Sequence, residues 1–226
     1  MVENPSEIRL NKFIAERLGF SRREADELIA AGKITVDGKK AILGARIDNK
    51  SKVCYNNKTI PFSTDFLYVA MNKPVGYVCS RRAQGNTPTL YELLPKEYQK
   101  LKTVGRLDKD SSGLILLTND GDFAFSMTHP KFHKEKVYEV VLNKPLEPLH
   151  QQMISEFGVM LDDGPSKFTV IHEGGKYTVI LSEGRNRQIR RTFAALGYRV
   201  VGLHRTRFGK YQLSGLQPGK CVIIKP

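Results

Sequence analysis

Between residues 8 and 32 the apolar positions recur at helical spacing. Leu10, Phe13, Ile14 and Leu18 fall on one face of a 3.6-residue turn, and Leu18-Gly19 ends that run. Ser21 followed by Glu24 marks the start of a second helix, because the Ser and Glu side chains each satisfy a backbone N–H left free at a helix start. Ala25, Leu28 and Ile29 form its buried face, and Gly32 suits its last turn. The period then shortens to two: residues 33–36 predict a strand, with Asp37-Gly38 as a hairpin turn. Residues 1–7 read as a loose arm. Asn56-Asn57-Lys58 and residues 61–65 read as a polar, turn-rich joint, which puts a domain boundary near residue 63.

Beyond the joint, residues 66–71 predict a strand that Asn72-Lys73-Pro74-Val75-Gly76 stops. Residues 81–89 are polar and are expected to be mobile, and residues 91–94 predict one helical turn before Pro95. The densest stretch is TVGRLDKDSSGLILLTNDGD, residues 103–122. Four apolar residues, Leu114 to Leu117, stand between two polar turns and predict a buried strand, so Asp108 sits on a loop just before a rigid element. By spacing alone Asp108 reads either as a reactive carboxylate or as a residue that only caps a turn or pairs with Arg106. Further on, residues 123–127 predict a short helix stopped at His129-Pro130, and residues 136–142 a strand. Residues 148–157 predict a helix, and residues 168–172 and 177–181 adjacent strands joined around Gly174-Gly175. Residues 186–196 predict a helix with Ile189, Phe193 and Leu196 inward, and residues 200–201, 203–207 and 221–224 predict strands. This order predicts an α+β fold, a small N-terminal module followed by a larger domain on a mainly antiparallel sheet with flanking helices.

Charge narrows the partner. The 226 residues carry a net charge of +13, with a pI near 9.7. Residues 1–62 hold 12 Lys and Arg against 8 acids, and the rest 24 against 15, so the excess is spread along the chain. Basic surfaces gain affinity for phosphate chains by releasing counterions, so a polyanionic partner is expected. Arg22 and Arg23 open the second helix off its apolar face, where cations oppose the helix dipole. A phosphate partner accounts for them, and so do two solvated side chains. No apolar run reaches membrane-spanning length, and MVENPSEIRL lacks the basic start and apolar stretch of a secretory signal. Cys54, Cys79 and Cys221 make neither a disulfide framework nor a metal pattern, and the five histidines are dispersed. A reduced, cytoplasmic protein without a structural metal is expected.

GRLDKDSSGLILLTNDG resembles, without a gap, the catalytic motif of the pseudouridine synthases of the RsuA/RluB type. YVAMNKPVGYVCS, KVYEV at 136–140 and EGRNRQIRR at 183–191 match the same family in its order, and RLNKFIAERLGFSRREADELIAAGKITVDGK resembles an S4-like RNA-binding module. The resemblance implies an S4-like domain over residues 1–62 and a catalytic domain over 63–226. It makes Asp108 the essential carboxylate, Tyr138 the aromatic residue against the target uracil, and Arg190 the partner of the carboxylate. Ile189 lines the pocket and Arg106 holds the RNA; Arg187, Arg22 and Arg23 are further RNA contacts. Taken singly and without the resemblance, these read as a core tyrosine, a core isoleucine and a basic helix face. Thr192 stands where the family often has Met, a position expected to pack away from the pocket.

Such an enzyme moves the uracil from its N1 to its C5 attachment, so no atom enters or leaves, and neither cofactor nor metal is expected. An ionised carboxylate is required, and an adjacent guanidinium favours that state. Asp108 has three open routes: attack at C1′, attack on the base, or removal of the 2′ proton. The target base must leave its stack and rest on a flat side chain, here Tyr138. The expected partner is ribosomal RNA, and a monomer is expected. MNKPVGYVCS, THPKFHKEKVYEV and LHRTRFGKYQL stand closer to members acting on 16S RNA than to those acting on the large subunit. The same chemistry on 23S or transfer RNA is the alternative. A non-catalytic ribosome assembly factor is a rival of another class, against which the intact Asp108, Tyr138 and Arg190 set argues. DNA is not an expected partner, since no helix pair of recognition type is present. Nor is a membrane.

Overall fold

The computed structural model describes residues 7–63, 65–82, 84–173 and 175–226. The arm expected over residues 1–7 therefore lies, up to Ser6, outside the described residues, as do Thr64 of the expected joint, Ala83, and Gly174 of the expected Gly174-Gly175 turn. The chain forms two compact units: Met1–Leu67 with Asn119–Gly121, and Tyr68–Thr118 with Asp122–Pro226. Among the described residues no helix is long and apolar enough to cross a membrane.

In the first unit the helices Leu10–Leu18 and Arg22–Ala30 follow the apolar spacing, and Leu10, Phe13, Ile14, Ala25 and Ile29 are buried in one core with Ile34, Val53 and Ile60. Ile8-Arg9, expected as the start of the helix, instead pairs as a short strand with Arg46–Ile47. The first helix ends at Gly19 in the left-handed conformation (φ 78°). The second opens with the full capping box: Glu24 N–H donates to Ser21 Oγ at 3.1 Å and Ser21 N–H to Glu24 Oε2 at 2.6 Å. Such a cap is worth about 1 kcal/mol. A four-stranded sheet follows in the order Lys39–Lys40, Ile34–Val36, Val53–Tyr55, Lys58–Thr59. Asp37-Gly38 makes the expected two-residue hairpin, both residues at positive φ. Asn56-Asn57 makes a second one, also at positive φ, so this pair closes a hairpin inside the module and does not belong to a joint.

The second unit is built on a nine-stranded sheet among the described residues. Its main path runs Thr169–Glu173, Lys176–Leu181, Lys136–Leu142, Val200–Phe208, Ser112–Thr118, Tyr68–Lys73, Cys221–Ile223. Pairing is antiparallel along this path except between Val200–Phe208 and Ser112–Thr118, which run parallel with Arg205 opposite Gly113. There the backbones approach so closely that a Cβ on Gly113 would stand 2.2 Å from the Arg205 carbonyl oxygen, and Gly113 has φ +105°. Only glycine tolerates both conditions.

Several expectations change in this unit. The strand expected at 66–71 runs instead from Tyr68 to Lys73, so Asn72 and Lys73 are buried inside it. The segment 148–157 is helical as expected, but as an α-helix, Pro148–Gln152, that continues as a π-helix over Met153–Phe157. A hairpin, Val159–Leu161 with Gly164–Ser166, follows without having been anticipated. Residues 81–89, expected to be mobile, are tied at both ends. Arg81 donates to the carbonyls of Lys100 and Leu101, and Thr89 is buried in a capping box with Glu92.

Candidate active site

The chain leaves the strand Lys102–Val104, turns at Gly105 (φ 71°) and re-enters the sheet at Ser112, with Asp108 on the loop between. Lys73 holds that loop from beneath. Its side chain is 0% exposed, and its ammonium donates to Ser111 O at 2.7 Å, Pro74 O at 3.0 Å and Asp108 O at 3.1 Å. Ser111 N–H donates to the same Asp108 carbonyl at 3.1 Å, and Leu107 N–H to Cys79 Sγ at 3.4 Å. Burial pulls the Lys73 pKa below the ordinary lysine value, while the fields of Cys79, Asp108 and Asp110 oppose that shift. The carbonyls of Asp108 and Ser111 are thus pinned to a buried cation, and the Asp108 carboxylate is left free to face outward.

It faces a cavity of about 360 Å³, within the size range of small-molecule sites. Arg106 and Asp108 reach it from the loop, Tyr138 from the strand Lys136–Leu142, and Arg187 and Ile189 from the segment that opens the helix Gln188–Ala195. Tyr138 is 8% exposed and Ile189 is buried, whereas Arg106 is exposed. Five of the residues read from the sequence are therefore gathered on one cavity. Arg22 and Arg23 lie in the first unit, exposed, as the first two residues of their helix. Thr192 does not line the cavity; it is buried, with its hydroxyl bonded to Ser166 Oγ at 2.7 Å and Gln188 O at 2.9 Å.

Arg190 is placed differently from the expectation that it pairs with Asp108. Its guanidinium donates to Val200 O at 2.8 Å and Asp110 O at 2.7 Å, and its Nε lies 3.3 Å from Asp110 Oδ2. The reason is helical: consecutive residues point about 100° apart, so with Ile189 turned into the cavity Arg190 is carried to the other side of the loop. The guanidinium beside Asp108 belongs to Arg187, at 3.6 Å from Oδ2. Arg187 stands at the helix cap in the left-handed conformation (φ 46°), and it also grips Asp110 with two hydrogen bonds of 3.0 and 2.9 Å. That grip holds the Asp110 carboxyl below the usual carboxylate range, against a smaller effect of burial. Asp110 thus bridges Arg187 and Arg190, and Asp108 takes the longer contact to Arg187.

Two cavity residues were missed in the sequence. Arg205 is 2% exposed; its Nε donates to Leu114 O at 2.7 Å, its Nη1 lies 3.4 Å from the Tyr138 hydroxyl, and its Nη2 is buried with no hydrogen-bond partner among the described residues. The signal was strand alternation: Leu203 and Arg205 share one face of a strand, so an inward Leu predicts an inward Arg. A buried, incompletely paired guanidinium is costly and is a marker of function when it borders a cavity. Lys136, half-buried, lies over the Phe208 ring at 5.4 Å. Burial, reinforced by Arg205 and opposed by Glu183, lowers its pKa to about 8.

A loop carboxylate, a guanidinium at its side, a buried tyrosine ring and an excess of cations suit an anionic nucleotide drawn out of its stack. The family model described as RNA pseudouridylate synthase matches residues 67–195, more than half of the chain, including the Asp108 loop, the strand Lys136–Leu142 and the helix Gln188–Ala195. This chain belongs to the RNA pseudouridylate synthase family. A second model, the S4 domain, matches residues 8–47. Relatives in the family extend along nearly the whole chain. The ribosomal small subunit pseudouridine synthase A of Pasteurella multocida (strain Pm70) is 39% identical over 212 residues, covering 91% of this chain and 90% of its own. The protein of the same name from Escherichia coli (strain K12) is 36% identical over 220 residues, 94% of each chain. A solved pseudouridylate synthase superposes with a TM-score of 0.70 at 32% identity, covering 96% of both chains. The pseudouridine synthase is therefore an RNA isomerase with an S4 module, and the cavity lies in its synthase domain.

Proposed function

We propose that this enzyme converts a specific uridine of small-subunit (16S) ribosomal RNA to pseudouridine, with Asp108 as the reacting carboxylate. The observation that carries the reading is the meeting of Asp108 and Tyr138 on one cavity, although thirty residues of chain separate them. The choice of RNA rests on relatives named for the small ribosomal subunit that align over nine-tenths of the chain.

In this reading the target nucleotide turns out of its helix and its uracil lies between Tyr138 and Ile189. Asp108 acts as its carboxylate, with the Arg187 guanidinium 3.6 Å from its Oδ2. The N1–C1′ bond breaks, the base turns, C5 joins C1′, the C5 proton leaves and N1 gains one; the atoms balance without a co-reactant. Arg205 holds the Tyr138 hydroxyl end of the ring, and Arg106 at the exposed edge meets phosphate. The S4 module, with Arg22 and Arg23 in the first turn of its second helix, contributes RNA affinity. The protein acts as a cytoplasmic monomer.

The test is to map pseudouridine in ribosomal RNA from a strain lacking the protein, by carbodiimide-dependent reverse-transcription stops. One stop in 16S RNA should disappear and return when purified enzyme, but not Asp108→Asn, is added to the extracted RNA or subunits. A lost stop in 23S or transfer RNA would move the target; unchanged maps of all three would remove the activity.

A further inference from the structure

If a uridine is drawn into the cavity, the bases beside it lose their stacking partners and need another surface. Thr128 and Pro130 form part of the cavity wall. The segment that carries them also carries three aromatic rings outside the core. Phe125 is 46% exposed on the helix Gly121–Thr128, and Phe132 is 39% exposed in the turn Pro130–Phe132, with His129 between them. Met127, on the same helix, is buried in the core with Phe208 and Tyr211, so the helix is anchored by its other side. The exposed rings form one cluster. Phe125 and His129 have centroids 4.6 Å apart, and Phe132 meets Phe125 edge-on at 5.8 Å. The Lys131 ammonium lies 5.1 Å from the Phe125 centroid and 4.8 Å from that of Phe132. Lys134 follows three residues after Lys131, and Lys136 lines the cavity itself.

Aromatic faces held beside a cation, at the edge of a basic cavity, match what an unpaired nucleotide offers: a flat base and an adjoining phosphate. The chain's net charge of +13 favours a polyanion over an apolar partner for this patch. We propose that Phe125, His129 and Phe132, with Lys131, form a stacking platform for an unpaired base flanking the target uridine. The proposal rests on the pseudouridine synthase reading and adds to it a specificity surface: the substrate must offer an unpaired neighbour, not only a uridine.

The chain contains no tryptophan, so Phe132→Trp supplies a single fluorescent reporter. The probe is a ribosomal RNA fragment centred on the mapped uridine, and a series of it in which each flanking base in turn is abasic. Binding of the intact fragment should quench the tryptophan, and one abasic position should relieve the quench. Phe125→Leu with Phe132→Leu should weaken binding about tenfold, the loss expected for one base stack. Its rate at saturating RNA should stay within about threefold of wild type, and its melting temperature should match wild type. Phe132→Trp enzyme that isomerises the uridine while no abasic position alters its emission would overturn the platform and leave the enzyme reading intact. Wild-type enzyme that isomerises no ribosomal RNA would overturn the enzyme reading, and the platform with it.

Discussion

Lys73→Met is the sharpest test of how the reacting loop is held. Methionine keeps an unbranched side chain of similar length and removes the ammonium that three carbonyls share. Hydrogen bonds to a charged group are worth about 1.5–3 kcal/mol each, so the gross loss is roughly 5–9 kcal/mol. Against it stands the relief of several kcal/mol spent on dehydrating a fully buried ammonium. A net destabilisation of about 2–4 kcal/mol remains, and at about 2–4 °C per kcal/mol for a chain of this size the melting temperature should fall by roughly 5–15 °C. The larger effect is on chemistry. The freed carbonyls of Asp108 and Ser111 will turn toward water, and a displacement of about 1 Å at a reacting group costs on the order of 100-fold in rate. Lys73 is shielded from solvent and touches no RNA, so affinity should hold within about threefold, under half of the roughly 1.4 kcal/mol that marks a tenfold change. The assay pairs single-turnover pseudouridine formation at saturating RNA with filter binding and thermal melts. A single-turnover rate near wild type in a variant that melts lower would show that the loop holds its geometry without Lys73, and the argument would fail.

Asp108→Asn keeps size and removes charge; it should abolish isomerisation and leave RNA binding intact, and activity within tenfold of wild type would refute the assignment. Gly113→Ala places a methyl 2.2 Å from the Arg205 carbonyl oxygen at a φ of +105°, so it should force the parallel strands apart and cost upward of about 3 kcal/mol, read as lost soluble yield or a sharply lowered melt. The Lys136 amine titrates near pH 8 in the folded chain against 10.5 for an ordinary lysine. Between those values the unfolded chain holds the proton and the folded chain does not, so folding stability should rise with pH through that window while the cavity loses a positive charge. RNA affinity should accordingly fall through pH 8 in wild type and not in Lys136→Arg, and parallel affinity profiles from pH 6.5 to 9 would contradict it.

Much of this architecture was legible as local pattern. The Ser21-Glu24 box, the Asp37-Gly38 hairpin and the turn, loop and buried strand around Asp108 depend on residues a few positions apart, so periodicity and turn chemistry are enough to place them. The motifs at Asp108, Tyr138 and Ile189 also named residues that do meet on one cavity. What those patterns leave open is partnership. Whether Arg187 or Arg190 faces Asp108 depends on how the helix Gln188–Ala195 is rotated about its axis, and that is set by which of its residues the core accepts. Lys73 and Arg205 read locally as a strand-stopping lysine and one of several basic residues. They become the support of the reacting loop and a wall of the cavity only because distant strands pair side by side, Lys73 and Arg205 each opposite Gly113 from about 40 and about 90 residues away. A buried cation is tolerable where the fold brings carbonyl oxygens to it, and those of Asp108 and Ser111 for Lys73, like that of Leu114 for Arg205, come from segments that no local window contains.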